Sequence, residues 1–102
     1  MNIMLACHAG MSTSLIVENM KQAALDANKD YKIWAVDQTM IQENLGKFDV
    51  LLLAPQVIHI RRKVEAIVDG KAIIGVIPGL LYGRLDGKGI LEYVEKLIKE
   101  GN

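Results

Sequence analysis

The sequence has a single cysteine, Cys7, and this scarcity limits the chemistry that the chain performs by itself. One cysteine forms no internal disulfide, so the fold has to be stable without one. The lack of a second thiol weighs against a redox protein, because a protein with one thiol needs an external partner. Cys7 and the two histidines also lack the spacing of a metal-ligand set, so we expect no metal site and no cofactor.

An excess charge of either sign and a long apolar run are also missing. The 12 basic and 12 acidic residues give a formal net charge of zero, whereas a nucleic-acid-binding protein usually has a basic surface. The apolar runs are too short to cross a bilayer, and the first residues lack the features of a secretory signal. We therefore expect a cytoplasmic protein that neither binds nucleic acid nor inserts into the membrane, with a single domain over residues 1–102.

Four apolar segments alternate with segments typical of helices. The periodicity and capping residues predict strands at 2–6, 31–36, 49–54 and 72–77, and helices at 12–27, from a capping box at 39–42 to Gly46, from Pro55 to Asp69, and after Asp86. Lys32 indicates that the second strand lies at an edge of the sheet. The last helix is expected to bury Ile90, Val94, Leu97 and Ile98.

This alternation predicts an α/β fold with a four-stranded parallel sheet and helices on both faces. Right-handed crossovers in a doubly wound arrangement place strand one beside strand three, which gives the strand order 2-1-3-4. The expected architecture is an open sandwich of the flavodoxin-like or phosphatase-like type. Ligands of such sheets bind beyond the carboxyl ends of the strands, at the point where the strand order reverses.

Cys7 lies at that point of the predicted sheet. We expect a crevice between residues 7–11 and Pro55–Gln56, with the loop 78–83, which includes Tyr82, leaving the same edge. The N–H groups at a helix start favour negative charge, and the same field favours the thiolate, which is the nucleophile. A free cysteine often packs as a small apolar side chain, but this position favours a functional thiol that carries a phosphoryl group.

The segment after the cysteine is interpreted as a phosphate-binding loop. It consists of His8, Ala9, Gly10, Met11, Ser12, Thr13 and Ser14. Gly10 suits a turn and also lets the backbone approach an anion closely. Ser12, Thr13 and Ser14 are typical helix caps, and their hydroxyls and amides equally suit a phosphate. His8 is interpreted as a surface or partner-contact residue, because neighbouring loop side chains rarely face each other.

The loop differs from that of a tyrosine phosphatase at one decisive position. That signature places an arginine six residues after the cysteine, where this chain has Thr13. Without the bidentate guanidinium, the binding of a dianion depends on backbone amides and hydroxyls. The sequence therefore argues against a phosphatase or an arsenate reductase of that design. His59 and the basic run 61–63 are interpreted as residues of a solvated helix surface.

The motif from Cys7 to Ser14, placed after an N-terminal strand, resembles enzyme IIB of the lactose/cellobiose class of the bacterial phosphoenolpyruvate-dependent sugar phosphotransferase system (PTS). The resemblance continues at 53–56, at 82–83 and at 86–87, and thus covers the whole chain. It implies that Cys7 accepts a phosphoryl group from a histidine of the IIA component. It further implies transfer to a β-linked disaccharide or related sugar held by the membrane component IIC, which recruits the chain to the inner face of the membrane.

The chain departs from the pattern of this family at three positions. His8 stands where the family usually has serine, Ala54 where it has glycine, and Pro78 where it often has an acidic residue. The first two changes affect partner contact or loop geometry, and the third removes any role for an acid there. Cys7 is unaffected. Two other functions are compatible with the same fold: a protein that binds an anion without phosphoryl transfer, and a single-thiol redox protein.

Overall fold

The computed structural model describes residues 1–8 and 13–100, and the four strands lie within them. They are β1 (Asn2–Cys7), β2 (Lys32–Asp37), β3 (Val50–Leu53) and β4 (Ile73–Val76). All pairs are parallel, and the strand order is β2-β1-β3-β4. The predicted order 2-1-3-4 and the edge position of the second strand are confirmed. The first strand is one residue longer than predicted and ends with the cysteine itself.

The helices cover the two faces of this sheet. They are α1 (Thr13–Asp26), α2 (Arg61–Val68), α3 (Gly79–Gly83) and α4 (Gly87–Lys99). α1 and α4 pack against each other, and α2 borders the segment 38–48, with which it encloses two small clefts. Since the crossovers β1-α1-β2 and β3-α2-β4 run in opposite directions along the sheet, their common right-handedness places α1 and α2 on opposite faces.

The two central strands form the middle of the core. Side-chain exposure is zero for residues 3–6 of β1, for residues 51–53 of β3 and for Ala54, which follows β3, as expected of strands covered on both faces of a parallel sheet. The edge strand β4 is only partly buried. Burial on both faces fixes the register of β1, because a shift of one residue would expose a full set of apolar side chains. The last residue of β1 is therefore held at a defined point on the carboxyl edge.

The predicted helix at 39–46 is wrong. Two 3₁₀ turns, Gln38–Met40 and Gln42–Asn44, occupy this segment. Asp37 caps the first of them: its carboxylate accepts the N–H of Thr39 at 3.0 Å and the Thr39 hydroxyl at 2.6 Å. Because that hydroxyl donates to Asp37, the capping box expected from residue 39 does not form. Gly46 has a positive φ of 85°, the left-handed conformation predicted for it.

The helix predicted from Pro55 begins later than expected. Pro55–Ile60 is a 3₁₀ segment with a kink at Val57, and regular α-helix starts only at Arg61. The segment 78–83, expected as a loop or a short helical turn, contains the five-residue helix α3. Within the described ranges, no helix is long and apolar enough to span a membrane.

The start of α4 lies directly against the backbone of α1. Asp86 caps α4 as predicted, accepting the N–H of Gly89 at 2.8 Å. A Cβ added to Gly87 would lie 2.5 Å from the backbone nitrogen of Met20 in α1, so only glycine allows this approach. Ile98, expected inside, is 38% exposed because the final turn of α4 extends beyond the core, and Leu91 is buried instead.

Candidate functional site

Cys7 is the residue at which the central strand β1 reaches the carboxyl edge of the sheet. Its Cα is in register with that of Asp37 in β2. On the other side, the ladder to β3 ends one residue earlier, where the N–H of Ala54 donates to the carbonyl of Ala6 at 3.0 Å. The thiol therefore lies at the switch point, beside the place where β3 passes into Pro55. Only 7% of Cys7 is exposed.

The Cys7 sulfur lies 2.8 Å from the hydroxyl oxygen of Thr13, the first residue of α1. The thiol also makes a long contact, 3.8 Å, with the carbonyl oxygen of Val36. Thr13 is itself buried, with 4% exposure. A thiolate has no proton to give, so in that state the Thr13 hydroxyl is the donor and the sulfur accepts. The residue that replaces the arginine of a phosphatase loop is thus in direct contact with the sulfur.

Only part of the predicted phosphate-binding loop belongs to the described residues. Ala9, Gly10, Met11 and Ser12 lie outside the described residues, so their predicted roles stay predictions. Ser14 is exposed, one position beyond the buried Thr13. Both hydroxyls lie at the N-terminus of α1, where the helix dipole favours an anion.

His8 is exposed and its imidazole contacts Gln38 of the β2 connection, with 3.1 Å between Nδ1 and the amide nitrogen. The amide nitrogen of glutamine only donates, so in this contact Nδ1 is the acceptor. The contact pairs His8 with Gln38 rather than with Cys7, as its interpretation as a surface residue requires. His59 and the basic run 61–63 are also exposed.

The predicted surroundings of the thiol lie on two further connections. Pro55 is partly buried and Gln56 is exposed, directly after β3. Tyr82, in α3, is only 6% exposed and belongs to the core cluster. The Ala54 backbone is extended, with φ −64° and ψ 150°. Alanine adopts this conformation without strain, which explains why the family's usual glycine is dispensable here.

Sequence reasoning missed Asp37 and Gln38, which the fold places at the same edge as Cys7. Asp37 is in register with the cysteine, and Gln38 holds His8. A signal for both was present, since polar residues that directly follow an apolar parallel strand emerge at the edge where ligands bind. The capping-box pattern at 39–42 predicts a helix start in this segment instead, and it masks that signal.

Comparison with known proteins gives consistent results. A family model described as "PTS system, Lactose/Cellobiose specific IIB subunit" matches residues 2–93. The chain is 37% identical over 97 residues to the "PTS system oligo-beta-mannoside-specific EIIB component" of Bacillus subtilis (strain 168), with 94% of each chain covered. It is 39% identical over 102 residues to the "PTS system cellobiose-specific EIIB component" of Lactococcus lactis subsp. lactis (strain IL1403), again with 94% of each covered.

A solved structure supports the same grouping. The solution structure of the cellobiose-specific phosphotransferase IIB component protein from Borrelia burgdorferi aligns with a TM-score of 0.79 and 35% sequence identity. The alignment covers 98% of this chain and 93% of that chain. The similarity therefore extends over the whole sheet and its helices, including the strand that carries Cys7.

Proposed function

This chain belongs to the family of lactose/cellobiose-specific IIB subunits of the PTS, and from that premise we propose that it is a phosphocarrier whose phosphoryl group is held on Cys7. The observation that carries the proposal is the position of the Cys7 sulfur. It lies at the switch point of the sheet, 2.8 Å from the buried hydroxyl of Thr13 at the start of α1. A nucleophile and a site that favours an anion coincide there.

The first step is the loading of the cysteine. The thiolate attacks the phosphorus of a phosphohistidine on IIA, so that an S–P bond forms and an N–P bond breaks, and the histidine nitrogen retains the electron pair. Transfer of this kind depends mainly on in-line positioning and on stabilisation of charge. The Thr13 hydroxyl orients the sulfur for attack, and the N-terminus of α1 stabilises the charge on the phosphoryl oxygens.

The second step passes the group to the sugar. A hydroxyl of a sugar bound to IIC attacks phosphorus, the S–P bond breaks with its electron pair returning to sulfur, and the hydroxyl proton goes to a base. The reaction class is that of a protein-phosphocysteine–sugar phosphotransferase. Family membership and the oligo-beta-mannoside and cellobiose names of two relatives support a β-linked disaccharide or related sugar as the acceptor. The chain acts in the cytoplasm, where IIC recruits it to the inner face of the membrane.

The presence of threonine instead of arginine at position 13 also favours a carrier over a phosphatase. A carrier needs a phosphocysteine that resists water until the sugar arrives. A guanidinium at this position would clamp the phosphoryl oxygens in two places and stabilise the charge of a hydrolytic transition state. A threonine hydroxyl contributes one neutral hydrogen bond and contacts the sulfur. His8 contacts Gln38 instead of the thiol.

The test is the intact mass of the chain after incubation with phosphoenolpyruvate, the upstream carriers and a IIA component of the lactose/cellobiose class. We expect a gain of one phosphoryl group in the parent chain and none in Cys7→Ser, which keeps the size of the side chain. No gain in the presence of a phosphorylated IIA would refute the proposal. An anion-binding protein would bind phosphate without a mass change. A single-thiol redox protein would show no gain in this incubation, but after addition of a low-molecular-weight disulfide it would gain one half of that disulfide and release the other half as a thiol.

A further inference from the structure

A cleft at the amino end of the sheet has a lining that the proposed function does not use. Its volume is about 450 Å³, which is within the range of small-molecule sites. Asn2, the first residue of β1, is in register there with the first residue of β2, whereas Cys7 ends β1 about 16 Å further along the strand. We refer to this site as the amino-end cleft, which is lined by Asn2, Lys32, Trp34, Asn44, Gly46 and Lys47.

Hydrogen bonds from Asn2 hold the walls of the cleft together. Its backbone N–H donates to the carboxylate of Asp49 at 2.7 Å, and its carbonyl accepts the N–H of Asp49 at 2.8 Å. Its side-chain amide donates to the carbonyl of Lys47 at 3.1 Å. Gly46, with a φ of 85°, turns the chain immediately before this lysine. The connection that precedes β3 is thus fastened to the start of β1, so the cleft is preformed.

The amino-end cleft carries unneutralised positive charge. Lys32 and Lys47 are both exposed, and neither forms an ion pair within the described part of the chain. None of the described residues that line the cleft is acidic. The nearby carboxylate of Asp49 is hydrogen-bonded to the backbone of Asn2. Ammonium groups bind phosphate as point charges, and two of them without an acidic neighbour in the cleft favour an anionic ligand.

The neutral groups of the cleft indicate what else this ligand carries. Trp34 is half-buried, and Nζ of Lys32 lies 5.6 Å from the centroid of its ring, so a flat apolar surface adjoins a charge. Asn2 and Asn44 each donate a side-chain N–H to a backbone carbonyl, which leaves their side-chain oxygens as acceptors. Acceptors require a donor from the ligand, and hydroxyl groups supply one. A bare phosphate, whose oxygens mostly accept, leaves both the asparagine oxygens and the indole unused.

We propose that the amino-end cleft binds a phosphate monoester of a sugar. The phosphate contacts Lys32 and Lys47, hydroxyls donate to the asparagine oxygens, and the apolar face of the sugar ring packs on Trp34. The proposed second step releases a compound of this class, so the ligand is produced where the chain acts. This second site lies at the opposite end of β1 from the thiol and binds its ligand whether or not Cys7 carries a phosphoryl group.

The experiment uses the fluorescence of Trp34, which is the one tryptophan of the chain and lines the cleft. The parent chain is titrated with glucose 6-phosphate, and in parallel with glucose, inorganic phosphate and adenosine monophosphate. We expect a saturable change with glucose 6-phosphate at a Kd of about 1 mM, as for a small ligand of ordinary efficiency. Inorganic phosphate should bind at least about fivefold more weakly, and glucose should give no saturable change over the same range.

Two lysine variants test whether the ligand occupies the cleft. Lys47→Gln removes one of the two charges that line it, and Lys99→Gln removes an exposed lysine in the last turn of α4, outside the cleft. Both variants lose one positive charge, so they have the same net charge. A charge-assisted hydrogen bond at an exposed site should account for a five- to tenfold rise in Kd in Lys47→Gln, roughly. Lys99→Gln should change the Kd by less than about twofold.

Amide chemical shifts provide a second readout that does not depend on the indole. Residues 32–34 and 44–47 should shift with glucose 6-phosphate. The absence of a saturable change in both measurements would overturn the proposal, as would an equal loss of affinity in the two lysine variants. Equally tight binding of inorganic phosphate, or tighter binding of adenosine monophosphate, would contradict the sugar phosphate as the ligand. All titrations use the unphosphorylated chain, so their results do not depend on phosphoryl transfer to Cys7.

Discussion

Replacing Thr13 by valine tests the contact on which the candidate site depends. Valine has almost the same shape as threonine, but a methyl group takes the place of the hydroxyl, so the 4% exposed side chain stays packed. The Cys7 sulfur then loses its 2.8 Å partner and keeps only the 3.8 Å contact with the Val36 carbonyl. That carbonyl accepts from a thiol but offers nothing to a thiolate. The substitution therefore destabilises the thiolate form of Cys7 more than the thiol form.

The size of the effect follows from the two kinds of hydrogen bond. A hydrogen bond to a charged group is worth about 1.5–3 kcal/mol, against about 0.5–1.5 kcal/mol for a neutral pair. The stabilisation lost by the thiolate form therefore exceeds that lost by the thiol form by about 1–1.5 kcal/mol. At 1.4 kcal/mol for each factor of ten, the reactivity of Cys7 at neutral pH should fall about five- to tenfold.

The assay is the rate at which iodoacetamide alkylates Cys7, the one cysteine of the chain. Thr13→Ser, which keeps the hydroxyl, is the matched control and should react at close to the parent rate. Thermal unfolding of both variants confirms that the fold is intact. If Thr13→Val is alkylated as fast as the parent, the hydroxyl does not support the thiolate. If Thr13→Ser is as slow as Thr13→Val, the hydroxyl alone does not support the thiolate, and the packing of the Thr13 methyl group is needed as well.

Two predictions concern stability. Gly87→Ala forces a Cβ against the backbone of α1 and should lower the unfolding free energy by about 1–3 kcal/mol in a thermal-unfolding assay. Gly83→Ala is the control and should be tolerated, because outside its own helix and chain neighbours no atom lies within 4 Å of the added Cβ. The hydrogen bond with Glu95 raises the pKa of Lys29 above its ordinary value of 10.5. Burial, and to a smaller extent the hydrogen bond with Glu95, raises the pKa of Tyr31 above its ordinary value of 10.0. The folded state therefore holds more protons than the unfolded state above about pH 10, so stability should fall as the pH rises. Glu95→Gln should make this fall shallower, and an unchanged slope in denaturant unfolding would contradict the assignment.

The sheet was predictable because its information is local. The runs 49–54 and 72–77 are apolar without interruption, as strands of a covered parallel sheet are, and the single lysine at 32 marked the edge strand. The strand order then followed from right-handed crossovers in a doubly wound arrangement, and with it the position of Cys7 at the switch point. These steps use spacing and composition only, so they did not depend on knowing any side-chain contact.

The segment after β2 was mispredicted because two caps compete there. Thr39 and Gln42 have the spacing of a capping box, but Asp37 stands two residues earlier, and its carboxylate takes both the N–H and the hydroxyl of Thr39. A carboxylate is the stronger acceptor. Which of the two caps is used depends on where β2 ends, and that is fixed by the pairing of Asp37 with Cys7 rather than by the local sequence.

Contacts between distant segments could not be predicted from the sequence for a similar reason. Nothing in the local sequence around Gly87 indicated that the fold would bring it against the backbone of residues 19–20. Thr13 was expected to cap a helix or bind phosphate, and its contact with the sulfur arises because α1 starts beside the end of β1. Linear spacing gave the six-residue separation but not the direction of the hydroxyl.

The contact between Thr13 and the sulfur also makes a prediction about phosphoryl transfer. Thr13 acts on the sulfur itself, so Thr13→Val should slow the reaction of Cys7 with a small electrophile and with phosphorylated IIA by a similar factor. The two rates are measured on the same variant, and their ratio compares the reactivity of the sulfur with the demands of the transfer step. A much larger loss in transfer than in alkylation would show that the hydroxyl acts on the phosphoryl group as well as on the sulfur.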